Sequence, residues 1–280
     1  MQLQQLDRFM LIIVIIKGGI IMLIQDSKHR GAGQSRTNIM FYNDKGELYR
    51  TEHNSIVIAG AQLTACKHFD IEPAVILPNY NTELGIENMV VPIGEKREEF
   101  AFLFCCGTSG CGTAASDVYP VDYHNRIPVE SLIPFRYEDK NNDLDDKMRE
   151  KYFGRKEIGD KVAYYYKAFD SKPQVFLQFT DGTQIDGGIY NESTSQKAET
   201  MVEIRLKITK SDLRDWFFAT EGIENARINT MSLLTAWEYE DPLTGYKYYN
   251  NVRPLTQFNF SNEWLIDLSK SITIVYQIFY

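Results

Sequence analysis

The chain has 280 residues, a net charge of −8 at pH 7, 44% hydrophobic residues and a high aromatic content that includes 17 Tyr and 16 Phe. That length can bury a real core. The acidic balance, with no long basic tract, argues against nucleic acid as the main partner, because phosphate binding needs clustered Lys and Arg.

Residues 9–24 read FMLIIVIIKGGIIMLI, an apolar run broken by Lys17-Gly18-Gly19. An uninterrupted membrane helix needs roughly 20 apolar residues. A signal peptide needs small residues at a cleavage site, and residues 25–30 (QDSKHR) offer none. Lys-Gly-Gly can instead be encoded by AAA GGA GGN, a purine run of the kind bacterial ribosomes pair with, two Ile codons before the ATG of Met22. On that reading residues 1–21 are a mis-assigned N-terminal extension of a bacterial or phage gene. Residues 22–37 then form a flexible polar arm, with DSKHRGAGQSR within it.

Residues 38–280 read as one β-rich domain. Asn43-Asp44-Lys45-Gly46 predicts a turn and a hairpin over 38–50. Residues 55–59 suit a short strand or helix entry, and 60–69 a short helix. Residues 73–95 carry Pro73, Pro78 and Pro92, and residues 118–137 carry three more Pro, so both stretches are expected as long extended loops. Phe100, Phe102 and Phe104 alternate along a strand and are expected to share a face. A charged break at 139–150 opens a helix over 143–152. Residues 161–169 and 174–179 are expected to pair across Ser171-Lys172-Pro173. Val202, Ile204, Leu206 and Ile208 share one face of a strand, with Glu203, Arg205 and Lys207 on the other. Ser211-Asp212 is expected to cap a helix over 212–219. Residues 226–238 are ambiguous and 241–262 loop-rich. The chain ends in a strand, with Ile272, Ile274, Tyr276 and Ile278 on one face and Val275 and Phe279 on the other. Such a strand lies inside a sheet or docks on a neighbour.

The residues that could carry chemistry favour bland readings. Cys66, Cys105, Cys106 and Cys111, with His68, lack the paired knuckles of a structural zinc site, and vicinal Cys105 and Cys106 point to opposite faces of a strand. They read as reduced thiols. Gly107-Thr108-Ser109-Gly110-Cys111 resembles a nucleophile elbow, but Cys111 stands where the second Gly is needed, and nothing brings His68 or His124 near Ser109. Asp139, Asn141, Asp143, Asp145 and Glu150 copy part of a calcium loop, yet Leu144 replaces its Gly and Asp146 its apolar position. Residues 181–186 (DGTQID) read as a turn. Tyr164-Tyr165-Tyr166 and the Tyr-rich residues 246–249 suit core and interface packing better than sugar stacking. No catalytic, cofactor or metal residue is therefore assigned, and the chain is expected not to be an enzyme.

One resemblance spans most of 54–280. It rests on residues 54–69 (NSIVIAGAQLTACKHF), 82–86 (TELGI), 107–136 (GTSGCGTAASDVYPVDYHNRIPVESLIPFR), 151–153 (KYF), 162–169 (VAYYYKAF), 255–263 (LTQFNFSNE) and 272–280 (ITIVYQIFY). As an ordered set these resemble the virion structural proteins of large tailed bacteriophages, of crAss-like or large myovirus type. The resemblance implies a non-enzymatic component of the capsid, neck or tail, made in the bacterial host cytoplasm, whose partners are copies of itself and other virion proteins rather than a membrane or a nucleic-acid sequence. The alternative is a carbohydrate- or receptor-binding module. The expected fold is mainly β, α+β in detail: an antiparallel β-sandwich or barrel with a few short helices and extended arms.

Overall fold

A computed structural model describes residues 11–16, 19–24, 36–52, 55–56, 79–87, 99–111, 126–179, 183–186, 198–267 and 269–279. The chain forms two compact units, Met1–Gln34 and Ser35–Tyr280. In the first, β1 (Leu11–Ile16) pairs antiparallel with β2 (Gly19–Ile24), Ile16 opposite Gly19. The Ile-rich run thus folds back on itself as strands, as its β-branched residues favour. Among the described residues, no helix is long and apolar enough to cross a membrane. The arm expected over 22–37 falls mostly outside the described residues; β2 ends at Ile24 and the next strand begins at Arg36.

The second unit is a sandwich of two antiparallel sheets. One has six strands: β3 (Arg36–Tyr42), β4 (Leu48–Glu52), β11 (Gln174–Phe179), β12 (Gln184–Asp186), β13 (Ala198–Ile208) and β16 (Ile272–Phe279), in the order β12-β11-β13-β16-β3-β4. The other has eight: β5 (Ser55–Ile56), β6 (Phe100–Gly107), β7 (Leu132–Ile133), β8 (Arg136–Asp139), β9 (Tyr152–Ile158), β10 (Lys161–Ala168), β14 (Arg227–Glu240) and β15 (Lys247–Trp264). Its order is β5-β15-β14-β6-β10-β8, with β7 beside β6 and β9 beside β10. The sheets stay separate, so the sandwich is realised and the closed barrel is not.

The alternating strands supply the core between the sheets. Ile204, Leu206 and Ile208 of β13 and Ile272, Ile274, Tyr276 and Ile278 of β16 meet Phe104, Met231, Leu233, Phe258 and Phe260 from the larger sheet. Burying each such side chain contributes roughly 1.5–3 kcal/mol. β16 is an inner strand, flanked by β13 and β3, so its second apolar face (Val275, Phe279) is buried within the molecule. The larger sheet is covered on its outer face too, by a second cluster that includes Tyr80, Leu84, Ile127, Leu103, Cys105, Tyr166 and Val252.

Several expectations are corrected. Within 73–95 lies a helix, α1 (Tyr80–Leu84), and within 118–137 lie a 3-10 turn at Val129–Ser131 and the strands β7 and β8. Their described residues Tyr80, Ile127, Leu132 and Phe135 are buried in the protein's own cores, so these parts wrap their own domain. β10 and β11 do not pair with each other. Ser171-Lys172-Pro173 carries the chain from one sheet to the other, and the hairpin partner of β10 is β9, across Gly159-Asp160. Gly159 has φ +65°, as a tight two-residue hairpin turn demands. The three Phe of β6 do not share a face. Leu234 and Thr235 of β14 stand opposite Leu103 and Ala101, which leaves Phe102 as the extra residue of a bulge. Phe104 therefore packs between the sheets while Phe102 joins the outer cluster and Phe100 is half exposed.

The helix expected over 143–152 is a single turn, α2 (Asp146–Arg149), capped by Asp145, because Tyr152 already belongs to β9. The helix expected from Asp212 is α3 (Arg214–Thr220); its cap is Leu213 at φ +68°, and Asp212 serves elsewhere. The loop expected over 241–262 is mostly the 18-residue strand β15. The helix expected over 60–69 lies outside the described residues, and of 55–59 only β5 is described.

Candidate functional site

Cys105 and Cys106 sit side by side on β6, each fully buried, and face opposite ways: Cys105 into the outer cluster and Cys106 into the core between the sheets. Burial pushes both thiols well above their ordinary range, which makes them poor nucleophiles and poor metal ligands. Cys111 is held at the mouth of the β14–β15 hairpin, its Sγ 3.6 Å from the Phe260 carbonyl. Gly110 beside it is pressed against Asn229: its amide donates to Asn229 Oδ1 at 2.7 Å, and a Cβ there would lie 1.9 Å from the Asn229 carbonyl oxygen. The Gly107–Cys111 turn is thus shaped by close packing rather than by presentation of Ser109. Cys66, His68 and His124 lie outside the described residues.

The calcium-like carboxylates are bonded to the protein itself. Asp143 Oδ1 accepts from Tyr164 Oη and from the Leu144 amide, both at 2.7 Å, and its Oδ2 accepts from Arg155 Nε at 3.2 Å. Asp145 accepts from the Met148 amide, and Asp139 accepts from Lys161 Nζ at 2.6 Å. Among the described residues no three His, Cys, Asp or Glu converge as a metal site.

Tyr164 belongs to the core between the sheets, and Tyr165 and Tyr166 both belong to the outer cluster. Tyr164, Tyr165 and Tyr166 are all buried. Tyr249 packs edge-on to Phe153 at 4.6 Å and donates to Glu238 at 2.7 Å. Tyr246 donates to Asp146 at 2.5 Å under the Arg149 guanidinium.

The group that sequence reasoning missed is built around Asp212, which is fully buried in the turn between β13 and α3. Its Oδ2 accepts from Lys167 Nζ at 2.5 Å and from the Thr209 amide at 2.7 Å; its Oδ1 accepts from Tyr152 Oη at 2.6 Å. Lys167 also donates to the Lys207 carbonyl at 2.7 Å. The ammonium lies over the rings of Tyr152, at 5.2 Å, and Phe135, at 6.0 Å. Burial, and then the Asp212 carboxylate, push the Tyr152 phenol upward. The cluster joins β9 and β10 of the larger sheet to the end of β13 in the smaller one. Lys167 in YYYKAF and Asp212 in KSDLR carry no signal of each other, being 45 residues apart.

Searches against protein-family models, curated proteins and solved structures match nothing to this chain. The site is therefore read from its own geometry.

Outside the cores, large apolar side chains stand partly in solvent: Leu48 (48% exposed) and Tyr49 (41%) on β4, Phe218 on α3, and Trp264 and Ile266 at the end of β15. Among the described residues β4 is an outer strand of its sheet and pairs with β3 alone. Its inner contacts are firm. Arg50 donates to the Ser261 carbonyl at 3.1 Å and pairs with Glu263 at 3.3 Å, and Lys270 lies over the Tyr49 ring at 5.5 Å. By contrast β9, which flanks β10 on the side away from β8, is guarded by Arg155 and Glu157. Charges of this kind discourage strand addition at an edge.

Proposed function

We propose that this protein is a structural component of a tailed-phage virion and works by association of subunits, with copies of itself among its partners. The observation that carries the reading is the outer edge of β4. Among the described residues no strand lies on the outer side of β4, and an edge of that kind, bearing Leu48 and Tyr49, offers both backbone hydrogen bonds and apolar area to another chain. The scaffold behind it suits that role, because the edge is braced by the Arg50–Glu263 and Lys270–Tyr49 contacts. Asp139, Asp143 and Asp145, weighed above as calcium ligands, are bonded within the fold instead, and the reading rests on surface shape. The order of apolar and Pro-rich stretches resembling phage particle proteins agrees with this reading.

Light scattering of the purified chain, across a concentration series, tests the reading. Assembly beyond the monomer is expected, and Leu48→Lys is expected to shift the midpoint of assembly at least tenfold upward while leaving the circular dichroism spectrum unchanged. A monomer at every concentration, which also fails to bind the proteins encoded beside it, would sink the proposal.

A further inference from the structure

We infer that Lys167 and Asp212 are a site of covalent self-modification, closing an intramolecular isopeptide bond between the two sheets. Three features meet there. Nζ of Lys167 lies 2.5 Å from Asp212 Oδ2, so the carboxyl carbon is one C–O bond further on. The side chains are 7% and 0% exposed, and the rings of Phe135 and Tyr152 wall the pair from water. Donors already hold the carboxylate from both ends, the Tyr152 hydroxyl on Oδ1 and the Thr209 amide on Oδ2. Fixing reacting groups in contact in this way removes most of the entropic cost of an amide-forming step.

The chemistry balances without an oxidant or a co-reactant. A proton passes from Nζ to Oδ2 along the hydrogen bond, leaving an amine facing a carboxylic acid. The Nζ lone pair forms the N–C bond, and the carbonyl π pair moves to Oδ1, where the Tyr152 O–H stabilises the developing charge as an oxyanion donor does. A second proton from nitrogen then goes to the Oδ2 hydroxyl, the C–Oδ2 bond breaks, and one water leaves as the carbonyl re-forms at Oδ1. The ammonium and carboxylate become a neutral amide and water. Tyr152 is the catalytic residue of this step, because it touches a reacting atom. The Lys207 carbonyl, which accepts from Nζ at 2.7 Å, is a positioning group.

The product would tie β10 to the β13–α3 turn across a 45-residue separation and hold both sheets against pulling apart. Mass spectrometry of the denatured full chain tests it. Wild-type protein is expected to be lighter by one water than its sequence requires, whereas Lys167→Arg and Asp212→Ala match theirs. Because the proteins are unfolded for the measurement, a variant that fails to fold still serves as the linear reference. Trypsin should release residues 211–214 (SDLR) attached through Asp212 to a peptide that begins at Val162 and reads through an uncut Lys167. Tyr152→Phe is expected to accumulate the open form. A wild-type chain at its full mass, with residues 211–214 recovered as a free peptide, overturns the inference. Complete closure in Tyr152→Phe overturns the part assigned to Tyr152.

Discussion

Asp143 shows how a single carboxylate is made structural. Burial raises its pKa, but hydrogen bonds from Tyr164, the Leu144 amide and Arg155 outweigh this, so the folded value lies below the ordinary 3.8. A carboxyl whose folded pKa is depressed adds stability that is complete above its unfolded pKa. That stability is lost as pH falls through the folded value. The chain is therefore expected to lose stability as pH drops below 3.8, and Asp143→Asn should remove part of that dependence. At neutral pH the same change should cost about 1.5–3 kcal/mol, the range for a hydrogen bond to a charged group. Urea midpoints for both proteins, measured from neutral pH downward, check this; parallel curves would mean that Asp143 is not linked to acid unfolding. Asp212 makes a contrasting case. Its sequence context is that of a helix cap, but beside the local Thr209 amide its oxygens accept from side chains 45 and 60 positions away, and no local pattern encodes those two partners.

At the scale of elements, what was legible is what is local. β13 and β16 announce themselves by strict alternation, and the β3–β4 hairpin by Asn43–Gly46, where Asn43 Oδ1 accepts from the Lys45 and Glu47 amides. β15 was hidden because its buried residues include Asn250, Thr256, Gln257 and Glu263, which break any apolar rhythm. They are tolerated because of the long ladder to β14, the Arg50 and Lys270 contacts of Glu263 and side-chain bonds such as Gln257 Nε2 to Asn259, although Gln257 Oε1 stays buried without a partner among the described residues. Pro254 is accommodated at a register shift opposite Leu234. Helix α1 was masked by flanking prolines, though its end signals were present. Asn79 Oδ1 accepts from the Asn81 and Thr82 amides, and Gly85 closes the helix at φ +69°. Asn79 also donates to Asn251 Oδ1 at 2.9 Å, which ties α1 to β15. Asn79→Ala should therefore cost about 1–2 kcal/mol, the upper range for loss of a cap. Hydrogen exchange should locate the loss. Protection is expected to fall at Glu83, whose amide donates to the Asn79 carbonyl, and at Gly85 and Ile86 before the sheets respond. Unchanged exchange over those three amides would show that the cap carries no weight.

Across residues 35–280, the core between the sheets belongs to neither sheet alone. Phe41 from β3 packs 6.3 Å from Phe258 and 5.2 Å from Phe260 of β15, and Phe258 in turn lies 5.8 Å from Tyr276 of β16. Removing one sheet would leave the apolar face of the other bare, so neither is stable by itself and the two should unfold together. Ile274 is the sharpest probe. It is fully buried at the middle of β16, between Leu206 and Phe41 in register, and belongs to the shared core. Ile274→Ala removes its contacts with that core and leaves a cavity that closely packed aromatic neighbours cannot collapse to fill, at a cost of about 2–5 kcal/mol. The expected outcome is one denaturation transition, moved to lower urea without a change in slope. It should be followed identically by far-ultraviolet dichroism, which senses both sheets, and by tryptophan fluorescence from Trp216, Trp237 and Trp264, which stand on or beside the larger sheet. Two separated transitions, with fluorescence retained after the first, would mean that the eight-stranded sheet and its outer cluster hold together without the six-stranded one.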